Sequence, residues 1–306
     1  MSVPREAGPT PAQMAWVSRA TEIALPELHL TRMRGATSSS VFEVRARSAG
    51  DPRRFVLRVL DNAEWLREEP DLAAHEVAAL REARSAGLVA PSPVAHTDDA
   101  GSGAPALLMS FVEGQVEVRP RNAQRWLEGL ATMLARIHRH RAEAFPWVFR
   151  SWTVGKALAP PSWTRVPAAW ARAIDRWHAG APDDPPVLLH RDYHAVNVLW
   201  RDGTVSGVVD WVNACRGPAG VDVAHCRTDL VLMRGPAAAA AFLEAYGAAA
   251  AGYVHDPYWD LDAVLDMCLP EPVFYEPWET FGLPRIPAET LRERLDAHLE
   301  AVLERG

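Results

Sequence analysis

The sequence predicts a two-lobed α+β fold: an antiparallel sheet with one main helix in residues 1–110, then a larger, mostly helical lobe in residues 111–306. Three observations predict it. Strand-like runs crowd the chain before residue 110, helical periodicity takes over after residue 122, and one tight hairpin interrupts the helices near residues 198–209. A chain of 306 residues can bury two such cores.

Residues 10–20 read as a short leading helix. Three strand runs follow, Glu27 to Met33, Val41 to Arg47 and Phe55 to Leu60. The second alternates Val41, Glu43 and Arg45 with Phe42, Val44 and Ala46, as a strand with one wet face does. Gly35 to Ser40 supplies the first turn and Ser48 to Arg53 the second. Asp71 to Ala86 reads as the main helix, with Asp71 as its cap, Ala74, Val77, Ala78 and Leu80 as its apolar stripe, and Gly87 as its stop. Two more strands are expected near Ser92 to His96 and Ala106 to Ser110.

The second lobe begins with Trp126, Leu130, Met133, Leu134, Ile137 and His138, spaced for one buried helical face. A Pro-rich break at Ala181 to Pro186 precedes the run Val187 to His190. The strands Val198 to Arg201 and Val205 to Val209 are separated by Asp202-Gly203, a strong hairpin signal. Helices are expected at about 222–233, 236–252, 257–267 and 287–304.

Composition narrows the function classes. A formal charge of −7 with no basic stripe argues against a nucleic-acid partner. The alanine-rich stretch from Pro236 to Val254 is interrupted by Glu244, so no segment suits a membrane span. The N-terminus carries no basic-then-apolar leader, and a cytoplasmic monomer or homodimer is expected. Cys215, Cys226 and Cys268 form no C-x-x-C pair and read as buried packing residues. Lys156 is the only lysine among 32 Lys and Arg residues, so any task usual for lysine falls to arginine.

The chemistry concentrates in HRDYHAVNVLW, from His190 to Trp200. Asp192 and Asn197 sit on a loop between two strands, and Asp210 follows at the far end of the hairpin. A hairpin returns its ends to one another, so two carboxylates and an amide oxygen collect where a hard cation such as Mg²⁺ would bind. Phosphoryl transfer uses such a site, the metal neutralising phosphate charge while a base orients the acceptor hydroxyl.

The pattern His190-x-Asp192-x-His194-x-x-Asn197, then Asp210-Trp211, then Gly217-Pro218-x-x-x-Asp222 resembles the aminoglycoside phosphotransferase and choline kinase-like family, whose fold is that of protein kinases. The resemblance implies that Asp192 is the catalytic base, that Asn197 and Asp210 hold Mg²⁺, and that Asp222 pins the loop through backbone amides, with His190 structural. His194 would orient a phosphate or Asp192, or serve as a structural hydrogen-bonder. In the first lobe, RGATSSSVF stands where a phosphate-covering loop belongs. It has one glycine, with Ser38 and Ser39 (and Ser40) offering hydroxyls and N–H groups. Arg58 replaces the phosphate-binding lysine, and Glu76 is the helix glutamate that would hold it. ALLMSFVEG looks like the hinge where a purine would meet Met109, Ser110 and Val112. ATP or GTP is the implied cofactor, with Mg²⁺.

The implied activity is that of a small-molecule kinase acting on a hydroxyl of an antibiotic-like, sugar or amino-alcohol acceptor. The alternative is a catalytically weak or inactive nucleotide-binding module on the same fold. A protein kinase fits less well, since D-F-G and A-P-E are missing and the link from Asp210 to Asp222 is short. For the acceptor, Asp262, Asp266 and Glu271 form an acidic group interleaved with aromatics. Asp262 and Asp266 are four residues apart on one helical face, where a cation would relieve their repulsion. A polyamine sugar would suit that face, the aromatics would suit a macrolide, and a plain solvated acidic face is the remaining reading.

Overall fold

The computed structural model of the chain describes residues 8–46, 53–100 and 103–305. The turn expected at Ser48 to Arg53 lies, up to residue 52, outside the described residues. Two compact units are formed. The first comprises residues 1–114 together with Ser206–Asn213, and the second comprises Gln115–Val205 together with Ala214–Gly306.

The first unit opens with α1 (Pro11–Thr21), closed at its start by a capping box in which Thr10 and Gln13 exchange side-chain and backbone bonds. Strands β1 (Leu28–Arg32), β2 (Ser40–Ala46) and β3 (Arg53–Val59) follow. Next come α2 (Ala63–Glu68), α3 (Leu72–Ser85), β4 (Pro93–Thr97) and β5 (Ala106–Ser110). The sheet is antiparallel, in the order β1-β2-β3-β5-β4. The alternation in β2 is realised: Phe42, Val44 and Ala46 are buried against Val17, Leu28, Leu57 and Leu108, while Arg45 faces water.

The main helix departs from expectation in two ways. Asp71 occupies the N-cap position of α3, yet its side chain bonds no helix N–H. Its φ and ψ of −99° and 14° lie outside the extended region from which a capping carboxylate reaches back. The inward face runs Leu72, Ala73, Glu76, Val77, Leu80 and Ala83, leaving Ala74 exposed. The helix is turned so that Glu76 points inward. Gly87 ends it at φ +73°, where the left-handed region favours glycine.

The second unit contains β6 (Gln115–Val116), α4 (Ala123–His138), α5 (Pro167–His178), β7 (Pro186–Leu189) and β8 (Val198–Arg201). Strand β9 (Thr204–Val208) then carries the chain toward Ser206–Asn213 of the first unit. The turn before it has φ of +51° at Asp202 and +74° at Gly203, the signature of a two-residue hairpin. Strand β10 (Cys215–Pro218) pairs antiparallel with β7. Helices α6 (Gly220–Arg234), α7 (Pro236–Ala249), α8 (Pro257–Cys268), α9 (Glu276–Thr280) and α10 (Ala288–Glu304) complete the unit.

Helix α6 is the axis of this unit. Every residue from Gly220 to Met233 is buried, because α7, α8 and α10 all pack on it. At its first residue a Cβ would come within 2.1 Å of the Trp259 ring, so only glycine admits α8 this close. The three cysteines are free and buried, and burial pushes the Cys215 thiol up to about 12. Among the described residues, no helix is long and apolar enough to cross a membrane.

A buried ionic cluster ties α6 to α8. Arg227 lies 2.9 Å from Asp260, which His255 meets from the other side at 3.0 Å. His298, on α10, is 2 % exposed, and burial pushes its pKa down to about 4. A histidine kept neutral by the fold takes up protons more readily once unfolded. Between pH 6.5 and 4 the unfolded state therefore binds more protons, and stability falls with acidification, by roughly 3 kcal/mol in all. Urea midpoints across that range are expected to fall more steeply in the native chain than in His298→Leu. Equal slopes would contradict this.

Candidate active site

In the first unit the site begins with a buried arginine. Strand pairing sets Arg58 opposite Val41 on β2 and Leu107 on β5. Its Nη1 donates to Glu76 Oε1 at 2.9 Å and to Asp210 Oδ1 at 2.6 Å, and its Nε donates to Ser39 Oγ at 2.9 Å. Burial alone would lower the Arg58 pKa, but the Asp210 and Glu76 carboxylates outweigh it and the guanidinium stays charged. The planar fork of arginine spreads these three bonds over two nitrogens in a fixed geometry, where an ammonium would gather its donors on one nitrogen. Asp210 itself sits at φ +66°, a left-handed conformation costing a non-glycine residue about 1–3 kcal/mol. That strain aims its carboxylate at Arg58.

This triad has a stability consequence. Arg58→Ala would strand Glu76, which is 1 % exposed, without its counter-charge. A loss of about 3–5 kcal/mol is expected, with part of it recovered in Arg58→Ala/Glu76→Ala. Urea unfolding of the two single variants and the double variant checks this; strict additivity would contradict it.

The serines divide. Ser39 is buried and accepts from Arg58, and Ser40 donates to Asp61 Oδ2 at 2.5 Å while accepting from Arg32. Ser38 is half-buried. In the hinge stretch, Met109 is buried on β5, and Ser110 is tied to Ser92 by both its N–H and its hydroxyl, each at 2.8 Å. Val112 is half-buried beyond the end of β5. Gly207 lies beneath it, so close that a Cβ there would come within 2.6 Å of Val112 Cγ1.

In the second unit the loop after β7 carries the chemistry. Asp222, with 0 % exposure, accepts the His190 N–H at 2.7 Å and the Arg191 N–H at 2.9 Å. His138 Nε2 lies 3.3 Å from the same carboxylate, and its Nδ1 meets the Tyr246 hydroxyl at 2.7 Å. Burial would raise the Asp222 pKa; His138, His190 and the backbone bond outweigh it and hold it below the usual range. The two amide bonds clamp Arg191 at φ +70°.

Asp192, next in the chain, keeps about a third of its side chain exposed. Asn197 Nδ2 donates to the Asp192 carbonyl at 2.9 Å and to Oδ2 at 3.0 Å. Oδ1 faces His225 Nε2 at 3.4 Å and His194 Nε2 at 3.6 Å. Burial would raise this carboxyl too, but the two imidazoles hold it well below the usual carboxylate range, ready to accept a proton bond. His194 is buried, its ring edge-on to Tyr275 at 5.4 Å.

Both candidate Mg²⁺ ligands have suitable chemistry. Asn197 turns its NH₂ group to Asp192, which leaves its carbonyl oxygen as the atom to face a cation. Arg58 takes one oxygen of the Asp210 carboxylate and leaves the other. Among the described residues no three His, Cys, Asp or Glu side chains form a metal cage.

The three acids expected at the acceptor are already engaged. Asp262 is buried, and its Oδ1 accepts from Ser151 at 2.5 Å and Trp177 at 2.8 Å; burial raises its pKa against those bonds. Asp266 pairs with Lys156 at 3.0 Å and lies 4.0 Å from Arg191. Glu271 is exposed and bonded to Arg292. The aromatics divide between core and site: Trp259 and Trp278 are buried, while Tyr275 reaches His194. The sequence did not single out His225 or Asp229; the Arg191 guanidinium, a structural group, stacks 3.8 Å from the Trp152 ring centre. His225 and Asp229 could have been found by extending the helical spacing beyond Asp222.

Comparison with known proteins gives a consistent family. A model of the "Phosphotransferase enzyme family" matches residues 29–259. A homoserine kinase of Chelativorans sp. (strain BNC1) is 31% identical over 160 residues, 46% of this chain and 47% of that protein. The chain thus spans about half the length of the curated relatives it matches. Among solved structures, an amicoumacin kinase in complex with AMP-PNP, Ca²⁺ and Ami superposes with a TM-score of 0.64 at 13% identity, covering 95% of this chain and 94% of the other. An aminoglycoside-3'-phosphotransferase of type VIII gives 0.59 at 19% identity, over 83% and 98%. At these identities the likeness concerns the fold.

Proposed function

Because the chain belongs to the phosphotransferase enzyme family, we propose that it transfers the γ-phosphoryl group of ATP to a hydroxyl of a small molecule. One observation carries this reading most directly: Asp192 is a carboxylate held ionised and oriented on both oxygens, yet still open to a ligand. It accepts the acceptor's hydroxyl proton as that oxygen bonds to the γ-phosphorus and the bond to the β-phosphate breaks, releasing ADP. Asp210 and Asn197 are assigned as the Mg²⁺ ligands. When bound, the metal supplies neutralisation of the phosphate charge. Arg58 has committed Nη1 and Nε, so Nη2 is the donor assigned to a phosphate oxygen. Ser38 is assigned to the phosphates and the Val112 backbone to the purine, with Met109 beside the ring. The Ser110 N–H and hydroxyl are engaged with Ser92, so its carbonyl is the group assigned to that contact. The AMP-PNP in the amicoumacin kinase supports an adenine nucleotide over GTP.

The acids named for the acceptor weigh on its class. Asp262 is bonded by Ser151 and Trp177, Asp266 by Lys156 and Glu271 by Arg292, which leaves these three less suited to a polyamine sugar. A small amino alcohol or hydroxy amino acid fits better, and the homoserine kinase likeness points the same way. The test is ADP release measured with ATP or GTP against homoserine, choline-like alcohols, amino sugars, aminoglycosides and macrolides. Acceptor-dependent, EDTA-sensitive release with ATP and a small hydroxyl compound is expected. The replacement of lysine by Arg58 favours a second reading, an inactive nucleotide-binding module. That reading would prevail if ATP and Mg²⁺ raised the melting temperature while every acceptor left ADP release at its blank rate.

A further inference from the structure

Helix α6 aligns three polar side chains, Asp222, His225 and Asp229, at positions i, i+3 and i+7, which is one helical face. Asp222 fixes the backbone of the loop that carries Asp192. His225 comes one turn later and reaches the carboxylate itself, Nε2 to Oδ1 at 3.4 Å. Asp229 follows, 5 % exposed; burial raises its pKa and the two imidazoles lower it.

Two rings approach Oδ1, and the geometry separates them. His194 Nε2 stands farther off, at 3.6 Å, and also lies 3.2 Å from the Asn197 amide nitrogen. His225 is the nearer of the two, at 3.4 Å, and stands on a buried helix. The neighbours of this pair are Asn197 and His194 on the loop, Asp229 on α6 and Tyr275 ahead of α9.

We propose that His225 is a positioning residue for phosphoryl transfer: it holds Oδ1 of Asp192 so that the carboxylate presents a fixed lone pair to the acceptor hydroxyl. The inference rests on the reading of Asp192 as the base. Asn197 bonds Oδ2 and His225 faces Oδ1, so together the two contacts limit rotation of the carboxylate about its χ2 bond. Misorientation of a reacting group by a fraction of an ångström is costly, since productive geometry is narrow.

The test measures steady-state turnover of His225→Leu and His225→Gln with the best acceptor, alone and in an Asp192→Asn background. His225→Leu is expected to lose roughly 10- to 100-fold in kcat with little change in either KM. His225→Gln, which keeps an N–H donor, is expected to recover most of the loss. In the Asp192→Asn background, His225→Leu should have no further effect on residual turnover. Wild-type kcat in His225→Leu, or an undiminished effect of it in that background, would overturn the proposal. If His225→Leu fails to fold, His225→Gln carries the test: near-native kcat supports the donor role, and a loss as large as that expected of leucine refutes it. Unchanged turnover in Asp192→Asn alone would instead refute the assignment of the base, a separately visible failure.

Discussion

Asp222→Ala is expected to cost about 3–5 kcal/mol of stability, the largest single loss in the second unit. The carboxylate is fully buried and accepts two backbone N–H groups while facing His138. Removing it leaves the His190 and Arg191 amides without acceptors in a site that water does not reach. Each stranded group carries a penalty of about 1–3 kcal/mol. The same change releases Arg191 from its left-handed conformation, so the Asp192 loop loses its anchor along with its bonds. Asp222→Asn retains one acceptor oxygen and should lose less. Urea midpoints measure both, and an unchanged midpoint in the alanine variant would rule this account out. Acid should act in the same direction. The folded pKa of Asp222 is depressed, so its contribution is present above the ordinary aspartate range and is lost as pH falls through the folded value.

Asp192→Asn is expected to reduce turnover by about 10²- to 10⁴-fold while lowering the unfolding midpoint only modestly, by the lost pairing with His194 and His225. Asparagine matches aspartate in shape, and this side chain is partly exposed, so little packing is at stake. It cannot accept a proton, however, and it presents an NH₂ group where one oxygen belongs. Acceptor-dependent ADP release and urea unfolding on the same preparation separate the two effects. Native turnover would remove Asp192 from the chemistry; a collapsed midpoint would make its role structural.

The loop from His190 to Asn197 was legible because its meaning is local. Chain geometry alone keeps Asp192 and Asn197 five residues apart on one turn, and Asn197 does bond both the backbone and the carboxylate of Asp192. The Asp202-Gly203 hairpin was legible for a similar reason, since two consecutive positive φ values select those residue types. The stripe on α3 was misjudged because alanines and a glutamate compete for one face. The guanidinium of Arg58, eighteen residues away in sequence, decides the contest. Asp71 could not be told from a working cap, since a cap depends on a backbone angle that residue type does not dictate.

From sequence alone came the strand-rich first part and helical second part of the chain, the loop and hairpin that carry Asp192, Asn197 and Asp210, and, through the family resemblance, the place of Asp222. Only the tertiary structure decided which charges are free. Asp262 is taken up by Ser151 and Trp177, 111 and 85 residues distant, and Asp266 by Lys156, 110 residues distant. It likewise brought His225 to the Asp192 carboxylate. A buried charge must find a partner, but folding chooses that partner from anywhere in the chain, so composition can show an acid without showing whether it is already neutralised.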